Sequence, residues 1–104
     1  MLRDYLINLL NELKKTPGMK SVFYDWLILE VGATSIEIKS NFENLSDNRI
    51  SEILHNALCE VVKTTDMNTE EYMIWLENKI HIRKNDLNKL MESGIIPLLD
   101  GPER

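Results

Sequence analysis

The pattern of apolar residues between positions 45 and 65, LSDNRISEILHNALCEVVKTT, constrains this chain more than any other stretch. Its apolar side chains recur at steps of three and four, which places them on one face of an α-helix. They are Ile50, Ile53, Leu54, Ala57, Leu58, Val61 and Val62. Ser46 has the position of an N-cap, and Leu45 and Ile50 have those of a hydrophobic staple. The pattern predicts an amphipathic helix whose apolar face must be covered by other elements.

Two segments before this helix also favour helices. Residues 2–14 carry five leucines at helical spacing and end on a lysine, which suits the negative end of a helix dipole. Residues 19–31 are apolar on most sides, a pattern typical of a helix at the centre of a core. Gly32 then supplies a stop.

Residues 34–45, with sequence TSIEIKSNFENL, allow two interpretations. Alternation of apolar and polar residues would permit a strand, but Thr34 and Glu37 have the spacing of a capping box. A lone strand would also have no partner for its backbone hydrogen bonds. We therefore predict a helix here.

Two further helices are predicted in the C-terminal third. Asn68 has the position of an N-cap and Glu71 completes a capping box, so a helix should run from there to about Ile82. A last short helix is predicted to begin with Asn85 as its cap and to stop at Gly94.

Together these segments predict an all-α fold, a compact irregular bundle of five to six short helices. The chain of 104 residues has the length of one domain, so we predict a single helical domain over residues 1–104. Residues 95–104, IIPLLDGPER, are predicted to form an extended C-terminal tail whose apolar residues pack back onto the body.

Acidic side chains are concentrated in the middle of the chain. Residues 25–77 contain eleven acidic and three basic residues, and the whole chain carries a net charge of −5. Such a surface repels phosphate and attracts cationic partners. The alternative interpretation is a solvated surface that only keeps a small protein soluble.

The sequence predicts a cytoplasmic protein without a membrane span. Asp4, Asn8 and Glu12 interrupt the apolar residues near the start, which does not match a signal peptide. No apolar run approaches the roughly 20 residues that cross a bilayer. Cys59 is the single cysteine, which excludes an intramolecular disulfide and fits a reducing compartment.

One cluster of chemically active residues has the composition of a metal or catalytic site. Glu52, His55 and Cys59 share the side of their helix opposite the apolar stripe. A zinc site needs three or four ligands, and His81, the other histidine, stands apart. No motif supplies the oxyanion donors of a nucleophilic enzyme. We therefore predict no catalytic residues, no metal ligands and no cofactor.

A DNA-binding or adaptor function is the alternative hypothesis. Residues 79–94, KIHIRKNDLNKLMESG, are basic and could form the second helix of a helix-turn-helix unit. The preceding helix is acidic, however, and DNA-binding domains usually present a basic face. We therefore predict no nucleic-acid partner in the favoured interpretation.

The stretch DMNTEEYMIWLE, residues 66–77, contains more apolar residues than one buried helical face requires. Tyr72 and Trp75 are either part of the core or partly exposed anchors within an acidic rim. The sequence leaves both interpretations open.

In size, acidity and helical make-up the whole chain resembles small bacterial immunity and antitoxin proteins. That resemblance implies a non-catalytic inhibitor that covers the basic cleft of a cationic toxin, such as a nuclease, with carboxylates in place of phosphates. The residues predicted to contact this basic partner are Glu43, Asp47, Asp66, Glu70, Glu71, Tyr72, Trp75 and Glu77. The surplus apolar residues could instead be buried in a homodimer.

Overall fold

In the computed structural model, residues 2–99 are described, and every regular element within them is helical. In chain order the helices are α1 (Leu2–Lys14), α2 (Phe23–Trp26), α3 (Ser35–Lys39), α4 (Asp47–Thr64), α5 (Thr69–Asn78) and α6 (Lys84–Glu92). Helix α2 continues without a break as a π-helical segment, Leu27–Val31. The all-α prediction and the expected number of short helices are confirmed.

Helix α4 lies at the centre of the core, packed against α1 and the π-helical segment. Its N-terminus forms where the sequence predicts, because the Ser46 hydroxyl accepts a hydrogen bond from the Arg49 amide at 3.1 Å. The predicted stripe is buried from Ile50 to Val61, and Val62 lies at its edge. Leu6 and Leu9 of α1 are fully buried with this stripe. Each such leucine stabilises the fold by about 1.5–3 kcal/mol relative to an exposed one.

The second predicted helix is shorter than expected at its start. Residues 15–22 form turns, with Gly18 at φ +83°, and the helix begins at Phe23 instead of near Met19. It ends as predicted at Gly32, whose φ of +86° lets the amides of Gly32 and Ala33 both donate to the Leu27 carbonyl. The bond from Gly32 spans five residues, which is the spacing of a π-helix.

Residues 34–45 form a helix at their start and not a strand. The predicted capping box is present: the Thr34 amide donates to the Glu37 carboxylate at 2.9 Å, and the Glu37 amide donates to the Thr34 hydroxyl at 3.2 Å. The helix ends at Lys39, earlier than predicted. Left-handed backbone at Asn41 and Phe42 ends it and turns the Phe42 ring into the core.

The capping box that opens α5 is also confirmed. The Glu71 amide donates to Asn68 Oδ1 at 2.8 Å, and the Asn68 amide donates to the Glu71 carboxylate at 2.9 Å. The predicted end near Ile82 is wrong, because α5 stops at Asn78. His81 adopts a left-handed φ of +65°, which allows both Ile80 and Ile82 to be buried.

Helix α6 starts before the residue predicted to cap it. Arg83 and not Asn85 is the capping position, and no side chain caps the helix there. The segment is held instead by Asp86, which accepts hydrogen bonds from the Tyr5 hydroxyl at 2.5 Å and from the Arg83 guanidinium. Gly94 ends the helix as predicted, at φ +84°.

The described part of the predicted tail packs back on the body. Ile96 is buried, and Ile95 and Leu99 are half-buried against the core. Leu98 is exposed, so only one side of this segment packs against the core. Residues 100–104 of the predicted tail lie outside the described residues.

Candidate protein-binding surface

The predicted acidic surface is divided between the two ends of α4. Asp47 begins this 18-residue helix, and Asp66 lies two residues beyond its end. At 1.5 Å per residue, the helix separates Asp47 from Thr64 by about 25 Å. Glu43 lies in the turn before Asp47, whereas Glu70, Glu71 and Glu77 belong to α5, after Asp66. The predicted carboxylates therefore do not all reach the same small area.

Arginines are paired with several acidic side chains at the N-terminal end of α4. Arg49 makes a two-pronged ion pair with Glu37, at 2.7 and 2.8 Å, and also bonds Glu52 at 2.9 Å. Glu43 lies 3.9 Å from the Arg3 guanidinium. The hydrogen bonds that Glu37 accepts from Arg49 lower the pKa of Glu37 to about 2. Asp47 is exposed and is in no ion pair within residues 2–99, so this end combines an ion-pair network with one separate carboxylate.

The outer side of α5 differs, because an exposed isoleucine is surrounded by carboxylates. Ile74 is 51% exposed. Glu70 and Glu71 lie four and three residues before it, and Glu77 lies three after it, which makes all of them its neighbours on the helix surface. We call these four residues, Glu70, Glu71, Ile74 and Glu77, the acidic face of α5.

The charges of this face have no basic counterpart within the helix. Helix α5 contains no lysine or arginine, and within residues 2–99 none of its glutamates is in an ion pair. Glu70 and Glu71 are stabilised locally, since they lie in the first turn, where the helix dipole favours negative charge. Asp66, exposed just before the helix, extends the negative charge beyond it.

Tyr72 does not belong to this surface. Its side chain is 1% exposed, and its hydroxyl donates a hydrogen bond to the Pro97 carbonyl at 2.7 Å. Burial raises the pKa of the Tyr72 phenol. The interpretation of Tyr72 as an exposed anchor is therefore wrong, and the residue joins the core to the C-terminal segment.

Trp75 occupies an intermediate position at the edge of the acidic face. It is half-buried and stacks on Tyr72, with ring centroids 6.5 Å apart. It also lines a groove of about 260 Å³ together with Trp26, Met19 and Met67. The accessible part of Trp75 therefore contributes to this groove, and Glu71 precedes it by one helical turn.

Ile74 is the surface residue that the sequence interpretation missed. The signal was present, because the N-cap at Asn68 fixes where the helix starts and Leu76 belongs to the buried side. At about 100° per residue, Ile74 then lies opposite Tyr72 and Leu76. The prediction that Tyr72 and Trp75 are the anchors followed from residue type, whereas the helical phase indicates Ile74.

His55 and Cys59 form a hydrogen-bonded pair on α4. His55 Nδ1 lies 3.1 Å from the Ile95 carbonyl, which can only accept, so Nδ1 carries a proton. In the neutral ring Nε2 is then an acceptor, and the Cys59 thiol, at 3.4 Å, donates to it. Burial raises the pKa of Cys59, which favours the thiol over the nucleophilic thiolate. The geometry suits a packed contact better than an activated nucleophile.

Within residues 2–99, no three of the histidine, cysteine, aspartate and glutamate side chains are grouped so that they could hold a metal ion. In the same part of the chain, no helix is both long and apolar enough to cross a bilayer.

Comparison of the chain with protein-family models, with curated proteins and with solved structures found no match. Function is therefore inferred from the geometry of this molecule alone.

Proposed function

We propose that this protein is a non-catalytic binding domain that uses the acidic face of α5 to bind a basic protein. The observation that carries the proposal is the half-exposed Ile74 surrounded by Glu70, Glu71 and Glu77, with no basic residue in the helix. An apolar centre within a charged rim is the arrangement of protein-binding hot spots. Acidic rims accelerate encounter with a cationic partner and disfavour acidic ones.

The partner class that fits this face is a nucleic-acid-processing protein, such as a nuclease toxin. The cleft of such a protein is lined with lysine and arginine to hold phosphates. Carboxylates on α5 would take the place of those phosphates, and Ile74 would exclude water from the centre of the contact. The domain would then act as an immunity or antitoxin protein, inhibiting its partner by covering the cleft.

The acidic face alone is too small for a stable complex. Helix α5 has ten residues and is about 15 Å long. A standard interface buries on the order of 800 Å² on each partner. We therefore extend the proposed interface to Asp66 and to the groove beside Trp75 and Trp26. Glu43 and Asp47, which lie at the other end of α4, are peripheral to this interface.

The experiment is to measure association with basic proteins encoded by the reading frames that flank this gene. The rate and equilibrium constants would be measured at low and high salt by surface plasmon resonance, with inhibition of nuclease activity as a second readout. A triple variant, Glu70→Gln with Glu71→Gln and Glu77→Gln, should slow association at low salt and weaken its salt dependence. Glutamine at position 71 preserves the capping box.

A matched control removes the same charge elsewhere. Asp4→Asn, Asp47→Asn and Glu92→Gln neutralise three other exposed carboxylates, none of them in α5 or in the groove beside Trp26. If both triple variants slow association equally, net charge and not the acidic face steers binding. An association rate that does not change with ionic strength would contradict the proposal itself.

A DNA-binding function is the second candidate, and one observation favours it. Lys84, Asn85, Asn88 and Lys89 are all exposed on α6, the side-chain types that contact phosphates and base edges. A gel-shift assay with random duplex DNA at low salt distinguishes the two hypotheses. The acidic protein-binding domain should not retard the DNA, whereas a helix-turn-helix protein should.

We also predict that the protein is cytoplasmic, and a homodimer stays open as a prediction from its surplus apolar residues. The half-buried thiol of Cys59 is compatible with a reducing compartment. Ile74 is among the exposed apolar side chains that a second copy could cover. Sedimentation velocity over a range of protein concentrations tests the dimer, and the α5 triple variant would show whether the same face is used.

A further inference from the structure

A second concave surface lies where α1, α2 and the end of α3 meet. It is a half-open cavity of about 620 Å³. Its apolar wall is formed by Ile7, Leu10, Phe23, Leu27, Ile38 and Phe42. This volume falls within the roughly 300–1,000 Å³ of small-molecule sites in proteins. No residue of α5 and none of the residues that line the groove beside Trp75 lines this cavity, so a ligand bound there would be separate from the proposed protein partner.

The polar side of this cavity is positive, in a protein that is negative overall. Lys14, Lys15 and Lys20 line it, and among the described residues no acidic side chain does. Lys15 is partly compensated by Glu12, at 3.7 Å. The Lys14 Nζ atom lies 5.4 Å from the centre of the Phe23 ring. Neither Lys14 nor Lys20 is in an ion pair within residues 2–99. Two ammonium groups beside an apolar cavity are complementary to an anion with an apolar body.

The wall of the cavity is also held in an uncommon backbone conformation. Asn41 and Phe42 have φ of +56° and +62°, where residues other than glycine are rare, most of all bulky ones. Arg3 fixes this turn by donating two hydrogen bonds to the Asn41 carbonyl, at 3.1 and 3.0 Å. Burial of the Phe42 ring, which is 2% exposed, offsets the strain. Backbone strain of this kind is often found at ligand-binding sites, where it makes a cavity preformed.

We propose that this cavity binds a small amphipathic organic anion, with one unbranched or aromatic apolar body and a single carboxylate or sulfonate. The apolar body would lie against the partly exposed side chains of Ile7, Tyr24 and Ile38, above the nearly buried rings of Phe23 and Phe42. The anionic group would remain at the opening, within reach of Lys14 and Lys20. A neutral or cationic molecule with the same apolar body would gain no charge interaction there.

The experiment uses sodium decanoate as the probe, below its micelle-forming concentration. Binding is followed by calorimetry and by amide chemical shifts of the labelled protein. Trp26 provides a further signal, because its ring stacks on Phe23 with centroids 5.7 Å apart. Decyltrimethylammonium, with the same chain and the opposite charge, and butyrate, with the same head group and a short chain, should both bind at least about tenfold more weakly than decanoate.

Paired variants test the role of the lysines. Lys14→Gln with Lys20→Gln should weaken decanoate binding about five- to tenfold, since partly exposed ion pairs are each worth up to about 1 kcal/mol. The matched control, Lys79→Gln with Lys84→Gln, removes the same charge from exposed positions outside the cavity and should leave binding unchanged. Ile38→Trp, which fills the cavity from α3, should abolish binding, with circular dichroism used to verify that the protein is folded.

Several results would overturn the proposal. These are equal affinity for decanoate and decyltrimethylammonium, equal effects of the two lysine pairs, or chemical-shift changes centred on Trp75 instead of Phe23. Absence of decanoate binding at millimolar concentration would also overturn the proposal. Anionic phospholipid vesicles form a separate arm: binding to vesicles without binding to free decanoate would indicate a membrane surface as the ligand and contradict a small-molecule site.

Discussion

Arg49 and Glu37 form a two-pronged ion pair, with nitrogen–oxygen distances of 2.7 and 2.8 Å, between residues twelve positions apart. The same guanidinium donates to the Gly32 carbonyl at 2.8 Å. Glu37 in turn accepts from the Thr34 amide. One arginine on α4 therefore fixes both the end of the π-helical segment and the start of α3. Planar, paired contacts of this kind are stronger than single surface ion pairs.

This network predicts a pH-dependent part of the stability. The pKa of Glu37 falls from 4.5 to about 2 in the folded protein, chiefly through the Arg49 hydrogen bonds. A lowered folded pKa contributes stability that is present above about pH 4.5 and lost as the pH falls toward 2. Glu37→Gln should lower the free energy of unfolding at neutral pH by about 1–2 kcal/mol, allowing for solvent screening. Urea denaturation should find that this difference closes near pH 2. Arg49→Gln should show the same pH-dependent loss together with a part that persists in acid, because the guanidinium also donates to the Gly32 carbonyl. For Glu37→Gln, a difference that persists at pH 2 would exclude the ion pair as its source.

The Tyr72 hydroxyl predicts a specific link between α5 and the C-terminal segment. Tyr72→Phe removes the hydrogen bond to Pro97 and leaves a carbonyl without its donor, at a cost of about 1–2 kcal/mol. The Ile96 amide, which donates to the Leu90 carbonyl at 3.1 Å, should exchange with solvent faster in the variant. Hydrogen exchange resolved by NMR measures this. Unchanged exchange at Ile96 would show that the segment is held by apolar packing alone.

Neighbouring apolar residues on α5 are expected to respond in opposite ways. Ile74→Gln changes a half-exposed side chain and should alter the free energy of unfolding by less than about 0.5 kcal/mol. Leu76→Ala creates a cavity at a fully buried position and should cost about 2–5 kcal/mol. Thermal or urea denaturation of both variants tests this. A large loss of stability in Ile74→Gln would mean that Ile74 is part of the core and not a surface for a partner.

The Cys59 thiol should react slowly in the folded protein. Burial raises its pKa, and the thiol donates to His55, so little thiolate is present at mildly alkaline pH. Alkylation by iodoacetamide should be at least about tenfold slower than for the same protein unfolded in urea. Mass spectrometry of quenched samples provides the rate. Faster alkylation in the folded state would identify an activated cysteine and reopen a catalytic interpretation.

His81 offers a stabilising substitution. It is exposed and adopts a left-handed φ of +65° at the end of α5, a conformation that glycine reaches without steric cost. His81→Gly should raise the free energy of unfolding by about 0.5–1 kcal/mol. Lys79→Gly, at an ordinary φ of −99°, is the control and should be destabilising. If both substitutions destabilise, the turn at His81 is maintained by the histidine side chain itself.

Local sequence signals predicted most of the helices and their starts. The apolar spacing of α1 and α4, the N-caps at Ser46, Thr34 and Asn68, and the stop at Gly32 each depend on residues within one or two turns. Such signals act over short distances, so they can be recognised without knowing the rest of the fold. Helix ends without glycine were missed, because the left-handed turns at Asn41 and His81 are stabilised by burial of the adjacent Phe42, Ile80 and Ile82 in a core that distant segments complete.

The sequence by itself determined that this protein is helical, acidic in its middle, and equipped with more apolar residues on α5 than one buried face requires. Only the tertiary structure decided which of those residues are covered. Tyr72 is buried because Pro97, twenty-five residues away, receives its hydrogen bond. Acidic residues that the sequence grouped together are separated by the length of α4 or paired with Arg3 and Arg49, because ion pairs and contacts between helices depend on distances in space that spacing along the chain does not fix.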